Sequence, residues 1–228
     1  PANAIFPCPQ HPPFATIIAA DGSQVYPDRH GIALYYLINT GSIVFRHGMD
    51  DAPTCASQPR LFYENEDLYL GEQLIQGALV DSQRDLAELR ELARLTTAEG
   101  EAIPTLALMD NGLLLYLGLH SSEQRRSDEI LHDYLRALRE IEVAGAAISG
   151  VIDRPRAANV LRLLHLAGLE NAEFEAEGLR QLGNYAQLTD RMLFGPLRPG
   201  ERSALFVTAS PEDMEKYMPR GHQIMVVY

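Results

Sequence analysis

Cysteine is scarce in this chain: Cys8 and Cys55 are the only two in 228 residues. So few cannot form a disulfide-stapled framework, and no Cys/His spacing suggests a zinc site. No apolar run approaches the roughly 20 residues needed to span a bilayer. The longest, such as Ile17–Ala20, are short and end in polar residues. The segment Pro1–Pro13 is rich in proline and lacks the basic region and apolar stretch of a secretory signal. A soluble cytoplasmic protein without a membrane partner is expected. Basic charge is also in short supply, with 31 acidic residues against 19 basic ones and a net charge of −12. That weighs against a free-standing nucleic-acid binder, because phosphate contacts reward a basic surface. It does not exclude an enzyme acting on nucleic acid, since carboxylates that hold metal are themselves acidic and a partner can supply guiding charge. Lysine is nearly missing, with Lys216 its single occurrence. This bias reads as genome composition, so individual arginines carry little weight.

What is present suits one sizeable domain, or one domain with appended helices: 46% of residues are apolar and 22% charged. Phe14–Ala20 reads as a buried strand ending at an Asp21-Gly22-Ser23 turn. Gly31–Asn39 and Ser42–Arg46 read as a hairpin about Thr40-Gly41, and His47–Glu64 as a loop. Helical spacing from Leu68 to Leu95 predicts one long amphipathic helix or two abutting ones. Pro104–Met109 is a second buried strand closing on Asp110, and Leu113–Leu119 is a further strand candidate. Ser127–Glu142 reads as a helix capped by Ser127, Val143–Ile152 as a strand, and Asp153 as the cap of a helix ending before Gly168. Ala204–Thr208 and Gln223–Tyr228 read as late strands. This order predicts an α/β fold, a mixed sheet with an antiparallel edge and helices against it.

Three carboxylates gain interest from this layout. Asp21 and Asp110 each close an apolar strand, at the end where α/β sheets gather functional groups. On a helical wheel Glu88 falls at the margin of the buried arc, beside Leu92. Cleaving a phosphodiester calls for an activated water, a stabilised leaving oxygen and neutralised phosphate charge, and two divalent ions can provide all three. Holding such ions takes hard anionic oxygens, so Asp and Glu are favoured over sulfur. Each residue also has an ordinary explanation. Asp21-Gly22 and Asp110-Asn111-Gly112 are good turn chemistry, and Glu88 could be a solvated helix residue paired with Arg84. Asp85 and Glu91 are rivals on the same helix, and spacing alone does not choose among the three.

The stretch Ala19-Ala20-Asp21-Gly22-Ser23 resembles the opening motif of NurA nucleases, and Tyr35–Ile43 resembles the hairpin that follows it. Arg84–Leu89 is similar to the family's helix motif, an arginine followed four positions later by a glutamate, and that match selects Glu88. Leu106–Gly112 resembles the second aspartate motif, with Asn111 departing from the usual glycine after the aspartate. Ile148–Leu161 and Leu188–Phe206 resemble later segments, in the same order.

The resemblance implies one nuclease domain over residues 1–228 with an RNase H-like mixed sheet, truncated at both ends relative to the family. It implies a manganese-dependent deoxyribonuclease, with magnesium as the alternative ion, holding a two-ion site on Asp21, Glu88 and Asp110. It further implies 5′-to-3′ exonuclease and single-strand endonuclease activity in DNA end resection, as a homodimer docked on a hexameric HerA-type translocase. The family's closing histidine motif has no counterpart before Tyr228. His222 and His120 are the substitutes to weigh, although a lone histidine near a strand end is usually structural. The missing motif also motivates an alternative: a non-catalytic RNase H-like scaffold that docks a ring ATPase. An unrelated phosphatase would share the carboxylate logic. Arg154 and Arg156, at the expected helix start, are candidate DNA-backbone contacts. Arg191 and Arg202 lie in family-like segments, where surface salt bridges explain them equally well.

Overall fold

The computed structural model describes residues 4–100, 102–115, 124–168, 185, 187–208, 210 and 213–228. In chain order the elements begin with β1 (Ile5–Pro7), β2 (Ala15–Val25), β3 (Tyr36–His47), β4 (Thr54–Phe62), α1 (Asn65–Leu68), β5 (Tyr69–Leu70) and β6 (Gln73–Leu74). They continue with α2 (Gly77–Glu99), β7 (Thr105–Met109), α3 (Gln124–Val143), β8 (Ala147–Gly150), α4 (Asn159–Ala167) and α5 (Asp190–Phe194). Three short strands close the chain: β9 (Glu201–Ser203), β10 (Phe206–Val207) and β11 (Met225–Val226). Two units are formed, one from Pro12–Val151 and one from Pro1–His11 with Ile152–Tyr228. Among the described residues no helix is long and apolar enough to cross a membrane.

The first unit is built on a five-stranded sheet in the order β4-β3-β2-β7-β8. The β4-β3-β2 edge is antiparallel, while β7 and β8 run parallel to β2. Burial alternates along β2, where Thr16, Ile18 and Ala20 are inside, and along β7, where Thr105, Ala107 and Met109 are inside. The register sets Ile18 beside Ala107 and Ala20 beside Met109, which makes one continuous apolar face. Helix α2 packs on that face across β2, β3 and β7, and α3 packs on α2 and β8. Val80, Leu89 and Leu92 of α2 and Tyr134 and Ile141 of α3 are fully buried there. Each large apolar side chain removed from water contributes roughly 1.5–3 kcal/mol. Helix α2 stops at Gly100, whose φ of 72° a residue with a Cβ rarely adopts.

Several expected boundaries shift for identifiable reasons. Asp21-Gly22-Ser23 and Thr40-Gly41 are not turns: β2 and β3 run straight through both, pairing Asp21 with Gly41 and Gly22 with Thr40. The expected loop over 47–64 contains β4, which pairs with β3 along its whole length. As an edge strand exposed on both faces it shows no apolar alternation, and Pro59 is tolerated within it. The expected helix from Leu68 is one turn (α1), a small β5–β6 hairpin and then α2. Helix α3 begins at Gln124, so Ser127 lies inside it and does not cap it. Leu113–Leu115 carry no strand, and 116–119 lie outside the described residues.

Glu91 ties the hairpin to α2. Its carboxylate is buried and accepts bonds from Ser42 Oγ at 3.0 Å, Gln58 Nε2 at 3.0 Å and both Nε and Nη2 of Arg94 at 2.8 Å. The Arg94 hydrogen bonds hold this carboxyl below its ordinary pKa, against burial, and Ser42 and Gln58 add to the effect. Glu91→Ala should therefore cost about 1–2 kcal/mol, because charge-assisted bonds are lost while the donors of the exposed Gln58 and Arg94 can turn to water. Urea unfolding measures this, and a midpoint equal to that of the wild type would show that the cluster is dispensable.

In the second unit β1 pairs with β9 and β10 with β11, both antiparallel. Asp190 is its buried tie. The carboxylate accepts the N–H groups of Val160 at 3.1 Å and Leu161 at 3.0 Å, and the hydroxyl of Tyr228 at 2.8 Å. An acid thirty positions downstream thus caps α4. The Tyr228 ring stacks on Phe194 at 4.5 Å, and burial followed by Asp190 pushes its phenol pKa up. Asp153 does not cap a helix, because α4 starts six residues later, at Asn159.

Candidate active site

Strands β2 and β7 are parallel neighbours whose register ends at Ala20 and Met109, so Asp21 and Asp110 come next on both. Neighbouring strands lie about 4.8 Å apart. Both aspartates are exposed where Ala20 and Met109 are buried, so they continue the face of Ala19 and Leu108. They line one pocket of about 300 Å³ whose floor includes Ala19, Ile43, Leu108 and Val151. The two strand-end carboxylates are brought together, as their positions in the sequence imply.

Glu88 stands on α2, across the sheet from that pocket, which it does not line, and packs against Gly22 of β2. It is only 3% exposed, as its place at the margin of the apolar arc suggests. A Cβ built on Gly22 would lie 2.5 Å from Glu88 Oε1, so the bare glycine gives this side chain its room. The carboxyl is pushed up from 4.5 to about 7: burial contributes most and Asp85 next, Asp21 adds to the rise, and Arg84 and the Gly22 N–H oppose it. Arg84 Nε approaches Glu88 Oε1 at 3.2 Å. Of the rivals, Glu91 is committed to the Arg94 cluster, and Asp85 accepts Arg84 Nη2 at 2.8 Å.

Asp21 thus shares a pocket with Asp110 and an electrostatic interaction with Glu88. Among the described residues, however, no three His, Cys, Asp or Glu side chains are gathered so as to hold a metal ion. The donor chemistry fits a hard divalent ion in that two carboxylates, Asp21 and Asp110, line one pocket, and the charge of Asp21 also acts on Glu88.

The remaining candidates belong to the second unit or lie outside the described residues. His222 follows the left-handed Gly221 and donates its N–H to the Tyr217 carbonyl, while His120 lies outside the described residues. The helix-start argument for Arg154 and Arg156 fails. They precede α4 in an irregular segment, and the first free N–H groups of α4 are taken by Asp190. Arg154 is well exposed beside Asp153. Arg191 is exposed on α5, and Arg202 places its guanidinium 5.1 Å from the centre of the Phe6 ring. Sequence reasoning missed Gln24, a bridging side chain on β2, and the capping role of Asp190.

Residues 15–228 match the NurA domain family. The chain belongs to the NurA family. Its fold is similar to the crystal structure of the NurA nuclease from Sulfolobus solfataricus, with a TM-score of 0.54 at 13% identity. That likeness covers 97% of this chain and 65% of the other, so the chain spans about two thirds of the length of that NurA nuclease. A type 1 RNase H with the type 2 active-site motif, LC9-RNase H1, is similar at a TM-score of 0.34 and 12% identity, over 69% of this chain and 72% of that one. No curated protein matches the sequence. The α/β mixed sheet flanked by helices is consistent with a NurA-type architecture.

Proposed function

We propose that this NurA-family chain is the catalytic part of a metal-dependent deoxyribonuclease, with Asp21, Glu88 and Asp110 as its metal-holding carboxylates. The observation that carries this reading is the β2–β7 register, which sets Asp21 and Asp110 side by side at one pocket. Manganese, or magnesium in its place, would lower the pKa of an attacking water and neutralise charge building on the phosphate when bound there. The protein's own part is orientation. Asp21 would present its oxygens from β2 and Asp110 from the end of β7, while Glu88 would be supplied from α2, where it packs against Gly22 on a helix fixed by Leu89 and Leu92.

Family membership supports action from 5′ ends and on single strands, as a homodimer docked on a HerA-type translocase in DNA end resection. The net charge of −12 supports the same division of labour, because a threading partner rather than this surface would bring DNA to the carboxylates. Exposed Arg154 and Arg156 remain candidates for the DNA backbone.

End-labelled DNA incubated with the protein and manganese should be degraded, and Asp21→Asn or Asp110→Asn should lower the rate by more than about a hundredfold. Undiminished cleavage by both variants would remove the proposal. A non-catalytic scaffold that docks a ring ATPase is the second reading, favoured by the lack of a ready three-ligand group among the described residues. It predicts no cleavage by the wild type and no manganese binding by calorimetry.

A further inference from the structure

Arg84 spreads its guanidinium over three partners. Nη1 donates to Gln24 Oε1 at 2.9 Å, Nη2 donates to Asp85 Oδ1 at 2.8 Å, and Nε faces Glu88 Oε1 at 3.2 Å. That Nε is buried yet out of line for a hydrogen bond, so its hold on Glu88 is coulombic and leaves the carboxylate's lone pairs available. Gln24 is itself fixed. Its Nε2 donates to Asp81 Oδ1 at 2.9 Å and to the Tyr26 hydroxyl at 2.8 Å, and that hydroxyl donates to Asp81 Oδ1 at 2.6 Å. Every polar atom of the Gln24 amide therefore has a partner, and the amide orientation is determined.

The chain of contacts joins α2 to β2 at two places on the same face of the strand. Arg84 and Glu88, one helical turn apart, lie over Gly22, and Arg84 reaches on to Gln24 two residues further. Asp81, Arg84 and Glu88 form a polar stripe along α2 beside the apolar arc. Because β2 also carries Asp21, the strand that presents one carboxylate orients the helix side chain that presents another.

Resting on the function proposed above, we propose that Gln24 and Arg84 are positioning residues that fix Glu88 against Gly22 of β2, the placement from which it would serve the same ion as Asp21. Groups that orient a metal-binding carboxylate from behind typically cost ten- to a hundredfold in metal affinity or rate when removed.

Two substitutions that preserve formal charge test this, Gln24→Met and Arg84→Lys. Neither alters the field at the rim by adding or removing charge, so a changed affinity reports orientation. Calorimetric titration of the whole protein with manganese chloride should show each variant binding about tenfold more weakly. The kcat of DNA cleavage should fall by a similar factor with KM for DNA unchanged. Wild-type manganese affinity in both variants overturns the proposal, and so does a raised KM at constant kcat, which would assign Arg84 to the substrate. Gln24 is only half-buried, so Gln24→Met keeps the test available if Arg84→Lys fails to fold. Asp21→Asn serves as the reference. If it too binds manganese like the wild type, the nuclease reading has failed. If it loses the ion while Gln24→Met and Arg84→Lys keep it, only the positioning role has failed.

Discussion

Glu88→Gln should melt several degrees higher than the wild type at pH 8, in the absence of metal, while cutting no DNA. The carboxyl has a folded-state pKa of about 7 against an ordinary value of 4.5. An acid whose pKa is raised by folding binds its proton more tightly in the native state than in the unfolded one. Stability therefore falls as pH rises through the window from about 4.5 to about 7, and the penalty is complete above it. The gap corresponds to roughly 3 kcal/mol at most. Glutamine imitates the protonated side chain and never bears that cost. At about 2–4 °C per kcal/mol for a chain of this size, the gain at pH 8 should be at most roughly 6–12 °C. At pH 4 the two proteins should melt together. Glu91, which works in the opposite sense because its carboxyl is held low, is present in both and drops out of the comparison. Manganese should raise the wild-type melting temperature at pH 8 and raise that of Glu88→Gln less, since the ion relieves a charge that the variant lacks. Thermal melts at the two pH values decide it: equal stability at pH 8, or a gain of the same size at pH 4, contradicts the buried ionised carboxylate.

The parts of the fold that were legible in the sequence are those rich in apolar residues. Short apolar runs at β2 and β7 and helical spacing along α2 identified the central layer, and the two aspartates at the strand ends followed from it. Strand β4 was illegible because both of its faces are exposed, so no periodicity marks it. Glycine misled twice, at Gly22 and at Gly41, both of which lie inside paired strands. Gly41 sits inside β3, where a Cβ would make only ordinary contacts, the nearest at 3.5 Å from Asp21 O. Asp153 looked like a cap because it precedes a proline and an apolar helix, but a distant acid, Asp190, satisfies that helix. Capping across thirty residues leaves no local signature. Glu88 was separable from Asp85 and Glu91 only through the family resemblance. In the structure Glu88 and Glu91 have partners that lie far away in sequence, Gly22 for Glu88 and Ser42 and Gln58 for Glu91, whereas Asp85 is held by its neighbour Arg84.

Gly22→Ala should damage activity more than stability, and for separable reasons. Gly22 has no positive φ, so the turn chemistry that Asp-Gly suggests does not explain it. What requires glycine is the close approach of α2: an added Cβ would fall 2.5 Å from Glu88 Oε1 and 2.6 Å from Arg84 Cγ. The carboxylate is the end of a flexible side chain and can swing aside at little cost, but doing so removes it from its place against β2. A displacement of about 1 Å at a reacting centre can cost a hundredfold in rate, and that is the loss expected in kcat. Arg84 Cγ lies midway along its side chain, so its displacement strains the guanidinium bonds to Gln24 and Asp85. Overpacking of this kind costs about 1–3 kcal/mol, readable by urea unfolding. Gly41→Ala, on the next strand, should leave the unfolding midpoint nearly unchanged and so shows what a methyl group costs where it has space. Wild-type turnover by Gly22→Ala would mean that Glu88 need not lie against β2, and that the two aspartates act without it.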